Sequence, residues 1–163
     1  GVADYLCHRR TEIEHTSGLH ESLLHAFQAL QLAIALLAGL FLEITTLVAA
    51  VMLLAVLAHS ATAYWDLAWT TGRRHISPFE QFVHSFLEWI PIVAVSIAVM
   101  LHWDQVTAGS FELRWKQEPL PGRYVAVILA AVLTILLPPL LEELWRTWRQ
   151  RSARRLSAGS LTG

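Results

Sequence analysis

Cys7 is the only cysteine in this chain of 163 residues, so no intrachain disulfide can staple the fold. Charge is scarce too: 15% of residues are charged against 55% hydrophobic, and the net charge of -1 gives no argument for a nucleic-acid partner. No phosphate loop or nucleotide-binding glycine pattern occurs, and the tandem histidine boxes of membrane desaturases are missing. His20-Glu21-Ser22-Leu23-Leu24-His25 is one residue too long for the zinc-protease motif His-Glu-x-x-His. Its two imidazoles would point about 140° apart on a helix. No short basic leader precedes the first apolar run, so that run does not read as a cleaved signal.

What the chain has in abundance is apolar residues, gathered in four runs: Leu23 to Ile44, Thr46 to about Trp65, Phe82 to Trp103, and Tyr124 to Leu141. Each supplies the roughly 20 residues that a helix needs to cross a hydrocarbon layer of about 30 Å. Stretches such as 47–57 and 90–101 are apolar on every side and lack the polar stripe of a soluble bundle helix. The expected fold is therefore all-α, an integral-membrane up-and-down bundle of four helices at about 21–44, 45–68, 78–103 and 122–147. Residues 1–20 are expected as an interfacial segment, 104–121 as an outer loop, and 149–163 as a basic, disordered tail.

Arg9, Arg10, Arg73, Arg74, Arg146, Arg149, Arg151, Arg154 and Arg155 flank one end of such a bundle, against Arg114, Lys116 and Arg123 at the other. The positive-inside rule then places both termini in the cytoplasm. Alternation of Phe111, Leu113 and Trp115 with Glu112, Arg114 and Lys116 predicts a strand or hairpin on the outer interface. Ser77-Pro78-Phe79-Glu80 is a helix start signal. Pro91 should kink the third span, and Pro138-Pro139 should bend the fourth.

A charge at the centre of a bilayer costs at least about 2.5 to 3.5 kcal/mol, so ionisable residues in these runs need a reason to be there. Glu21 and His25 are four apart, His59 and Asp66 seven apart, and Glu80, His84 and Glu88 spaced by four, so each set shares a helix face. With spans of alternating direction, all of them, and Glu142 and Glu143, fall at the cytoplasmic end. Three imidazoles and several carboxylates in one layer resemble the mixed ligand sets of di-iron bundles, although the pairs here are Glu-x-x-x-His rather than Glu-x-x-His. The candidate metal ligands are His25, His59, His84, Glu21, Asp66, Glu80, Glu88 and Glu142. The structural reading competes at several of them: Glu80 serves the Ser77 cap, Glu142 and Glu143 face Arg146 and Arg149, and Asp66 pairs with Arg73 or Arg74. His8, His20, His75 and His102 carry no such signal.

The segments Ile13-Glu14-His15, Glu21 to His25, His59 with Asp66, and Pro78 to Glu88 resemble a set of small bacterial four-span inner-membrane proteins with Glu- and His-rich helix ends. The resemblance implies a bacterial inner membrane and no particular activity. It also draws attention to Glu14 and His15 as residues that could fold over the site. The functional expectation is a membrane metalloprotein, with iron or di-iron favoured over zinc or manganese, acting in redox chemistry on a lipid-soluble substrate. The alternatives are a zinc-dependent lipid hydrolase, in which Ser85 would assist, a b-haem electron carrier, for which the many carboxylates are superfluous, and a non-catalytic subunit of a homo-oligomer or membrane complex.

Overall fold

The computed structural model describes residues 1–159. Its elements are α1 (Val2–Arg10), α2 (Leu19–Phe41), α3 (Thr46–Thr70), α4 (Pro78–Leu101), the short α5 (Trp103–Thr107), α6 (Gly122–Ala131), a π-helical turn (Val132–Leu136) and α7 (Leu137–Gly159). Helices α2, α3 and α4, with 23, 25 and 24 residues, rise about 34 to 38 Å, enough to cross a bilayer core. The fourth span runs continuously from Gly122 through the π turn into α7. The four long apolar helices form one bundle, as the apolar runs predict.

Local chemistry explains the ends. Thr45 accepts a hydrogen bond from the Val48 N–H and starts α3, and Ser77 does the same for the Glu80 N–H with Pro78 at the first helical position of α4. The helix continues through Pro91, which leaves the Leu87 carbonyl without its usual N–H donor. In the fourth span the irregularity lies one turn ahead of the prolines. The rings of Pro138 and Pro139 crowd the carbonyls four residues earlier, and the π turn widens the helix there.

Toward the end of the bundle that holds the α2–α3 turn, the core is small-residue packing. Ala35 and Ala38 of α2 meet Val48, Ala49, Met52 and Val56 of α3, with Val95 from α4. A side chain at Gly39 would touch Met52 at 3.4 Å. Large apolar residues such as Leu54, Leu57, Ile90, Met100 and Leu101 are exposed, as lipid-facing positions should be.

Two expectations need correction. Residues 110–116 form no strand or hairpin. They run extended over the α2–α3 turn, with one antiparallel bridge between Leu42 and Trp115 and backbone bonds from Glu43 N to Arg114 O and from Lys116 N to Phe41 O, each 2.9 Å. The supposedly disordered tail is helical to Gly159, because α7 continues out of the membrane segment; residues 160–163 lie outside the described chain. Within the N-terminal segment, α1 packs against both α4 and α7. The spans pack in the order α4, α3, α2, α7, while α4 and the fourth span make no extended contact with each other. α1 wedges into that side at one end of the bundle, where Gly1 abuts Leu136.

Candidate functional site

The end of the bundle that α1 covers holds the polar layer. Five helices contribute: three carry an acid and a histidine one helical turn apart, Asp4 and His8 on α1, Glu21 and His25 on α2, Glu80 and His84 on α4, and two add a lone acid, Asp66 from α3 and Glu143 from α7. Arg74 reaches in from the α3–α4 loop.

His8 is at the centre, with its side chain 1% exposed. Its Nδ1 lies 2.8 Å from Glu143 Oε2. Its Nε2 has no hydrogen-bond partner, yet Asp4 Oδ1, Glu80 Oε1 and Glu21 Oε1 surround it at 3.4, 3.5 and 3.7 Å. The ring stacks on His25, with centroids 4.6 Å apart and planes 4° from parallel. His25 in turn spans Asp66 Oδ2 and Glu143 Oε1, both at 3.0 Å. Arg74, also 1% exposed, joins Glu21 and Glu80 at 2.6 and 2.5 Å, and Ser17 Oγ donates to Glu21. His84 Nε2 is 2.6 Å from Asp4 Oδ1 and remains partly exposed.

Five carboxylates, those of Asp4, Glu21, Asp66, Glu80 and Glu143, thus face one guanidinium in an almost sealed space. With neutral imidazoles, four negative charges are left over. Such a group must hold protons or cations to be stable. Burial alone would discharge His8, but the hydrogen bond to Glu143 and the nearby carboxylates of Glu80 and Asp4 outweigh it and raise its pKa to about 9. Burial works against the Asp4 carboxylate, and the hydrogen bond from His84 and the nearby imidazoles override it, holding Asp4 well below the usual carboxylate range. Burial also disfavours the Arg74 charge, but Glu80 and Glu21 hold its proton more firmly than usual.

A pH dependence follows for protein stripped with chelator. His8 titrates higher folded than unfolded, so its stabilising contribution is complete below its ordinary value of 6.5 and fades as pH rises through about 9. Asp4 titrates lower folded, so its contribution is present above its ordinary 3.8 and is lost on further acidification. Unfolding temperature should therefore be highest between these limits and decline on the alkaline side. His8→Ala should lack that alkaline decline.

Two groups of side chains offer donor atoms within 4.8 Å of one another: Asp4, His8, Glu80 and His84, and then His8, Glu21 and His25. Of the candidate ligands named from the sequence, Glu21, His25, Glu80 and His84 belong to these groups, and Asp66 borders them through His25. Glu142 sits on the rim, held by Tyr5, Arg9 and Arg146, which matches its ion-pair reading. His59 is buried deeper in the bundle, beside the backbone of Gln28 and Leu87 with Glu88 in electrostatic reach. Neither His59 nor Glu88 joins either group. Glu14 pairs with Arg146, and His15 Nδ1 lies 3.2 Å from Gln150 Nε2, so both fold over the end of α7 rather than into the cluster. Ser85 is turned away, bonded to the Gln81 carbonyl. Asp66 pairs with His25 rather than with Arg73, which stacks on Trp69.

Asp4 and His8 were not among the sequence candidates. Their signal was present: Asp4-x-x-x-His8 repeats the spacing of Glu21 with His25 and of Glu80 with His84.

Comparison with family models, curated proteins and solved structures finds no match. The fold and the cluster define a class: a multi-pass helical membrane protein with a buried His/carboxylate cluster at one end of its bundle.

Proposed function

We propose that this cluster is a transition-metal centre, and that the protein is a membrane metalloprotein, most simply an iron or di-iron redox enzyme acting on a lipid-soluble substrate. One observation carries the reading: the buried, unpartnered Nε2 of His8 faces three carboxylate oxygens at 3.4 to 3.7 Å. Those separations are long for hydrogen bonds. Two ligands of a tetrahedral ion with bonds of about 2.1 Å stand roughly 3.4 Å apart.

His8, Asp4 and Glu80 would hold the ion, with His84 beside them, and the adjoining donor group of His8, Glu21 and His25 would hold a second. Oxygen and imidazole donors without thiolate suit iron, manganese or zinc. Bound there, iron would supply one-electron redox chemistry. The chain's own residues support the site from behind: Glu143 fixes the His8 ring through Nδ1, as the outer partner of a ligating histidine does, and Arg74 neutralises part of the carboxylate charge. Because α4 and the fourth span are not packed together, the bilayer side beneath α1 and next to the partly exposed His84 offers a lipid-soluble molecule its approach.

A second reading has an observation of its own. Arg74 already pairs with two of the carboxylates, as it would in a metal-free packing or proton-transfer network. Elemental analysis of protein purified without chelator or histidine tag separates the two. The metal reading predicts about one or two equivalents and, for iron, weak visible absorption without haem bands. Metal-free protein that gains no stability from added iron, zinc or manganese favours the network.

The orientation we propose, both termini cytoplasmic in a bacterial inner membrane, rests on the arginine distribution. Cys7 is buried and burial raises its thiol pKa, so it makes a poor probe. In a Cys7→Ser background, the exposed Leu113→Cys should label with an impermeant maleimide on right-side-out vesicles, and Leu156→Cys only after permeabilisation. The opposite pattern would invert the topology.

A further inference from the structure

On the same end of the bundle, but outside the cluster, a cavity of about 400 Å³ opens between the segment that leads into α2 and the outer part of α7. We propose that it binds the phosphate of an anionic phospholipid headgroup. Arg151, Arg154 and Arg155 line it from α7, and Gly18, Leu19 and His20 line it from the start of α2. Arg151 and Arg155 have no carboxylate partner among the described residues, and Arg154 reaches only His15, through its carbonyl at 3.3 Å and its ring. The one acid in the lining, Glu14, is already held by Arg146. Three arginines therefore line a space whose single negative charge is spent elsewhere.

The opposite wall adds to this. Gly18 precedes α2 at φ +72° and has no side chain to cap it, so the first N–H groups of this 23-residue helix lack a side-chain acceptor. Phosphate oxygens match both walls, by paired guanidinium hydrogen bonds on one and backbone N–H groups on the other. Depth selects a lipid over a soluble anion. Leu19 opens a helix long and apolar enough to cross a membrane, and Leu23, one turn further in where its apolar run begins, is exposed to receive acyl chains. Trp145 and Trp148 of α7 are exposed at a similar level, as interfacial anchors are. Basic pockets at such positions take anionic headgroups.

The test is native mass spectrometry of the full chain in neutral detergent with phosphatidylglycerol or phosphatidylcholine. Wild type should retain one phosphatidylglycerol in preference to phosphatidylcholine, and Arg151→Gln with Arg155→Gln should weaken that retention by about tenfold or more. The control removes the same charge elsewhere: Arg149, which stacks on Trp145, and the exposed Arg10. Arg149→Gln with Arg10→Gln should leave retention nearly unchanged. Equal retention of both lipids, or equal losses in the two double variants, would reduce the effect to unspecific attraction and overturn the site. Displacement of the lipid by millimolar inorganic phosphate would overturn the headgroup as the ligand. Circular dichroism of both variants confirms that helicity is kept.

Discussion

His8→Ala should empty the proposed metal site and destabilise the protein by about 3 to 5 kcal/mol, the usual effect of removing one partner from a buried charged network. Two effects add here. The ion loses its best-placed nitrogen, and Glu143, Glu80 and Asp4 lose the imidazole that stands among them. Metal content should fall from one or two equivalents to a small fraction, and supplementing the growth medium with iron should not restore it. His59→Ala is the informative comparison. His59 is buried too but lies outside both donor groups, so its loss should leave a cavity and lower the unfolding temperature while metal content stays. Equal metal loss in both variants would move the site deeper into the bundle, toward His59 and Glu88.

Arg74→Leu should be as damaging for the opposite reason. Its guanidinium is the one permanent cation inside the cluster, and it bridges two carboxylates that are 0% exposed. Without it Glu21 and Glu80 face each other unpaired, again at a cost of about 3 to 5 kcal/mol. Arg74→Lys should recover only part, because an ammonium cannot present the planar fork that meets two carboxylates at once. The pair Arg74→Leu with Glu21→Gln should be more stable than Arg74→Leu alone, as a thermal denaturation series in detergent would show. A harmless Arg74→Leu would mean that the cluster holds its charge in another way.

The spans were legible in the sequence because lipid imposes one requirement on every residue of a crossing helix, and composition alone reveals it. The depth of the polar layer was legible for a related reason: alternating span direction sets which residues share a level, and Glu21, His25, Glu80 and His84 do meet. Two things were hidden. The first is the finer depth: His59 shares a face of α3 with Asp66 but lies seven residues, about 10 Å, further along the helix, and so sits below the cluster instead of in it. The second is α1. Nine residues make too short a helix to be stable alone, and no apolar stripe announces a docking face. Its place is set by polar contacts, from Asp4 to His84, His8 to Glu143 and Tyr5 to Glu142, and those become visible only once the partners on α4 and α7 are brought together. Residues 110–116 show the reverse case: a strand period was real but found only one bridge, because a single turn between α2 and α3 is all the edge available to it.

The most direct test locates the ion. Crystals of the full chain, purified without chelator and measured at the iron and zinc absorption edges, should give an anomalous peak about 2 Å from His8 Nε2 and within bonding distance of Asp4 and Glu80, with a second peak near Glu21 and His25 if the centre holds two ions. No peak at that end of the bundle after metal loading, with Asp4, Glu80 and Glu21 bridged to His8 by water alone, or a peak beside His59 and Glu88, would contradict the account.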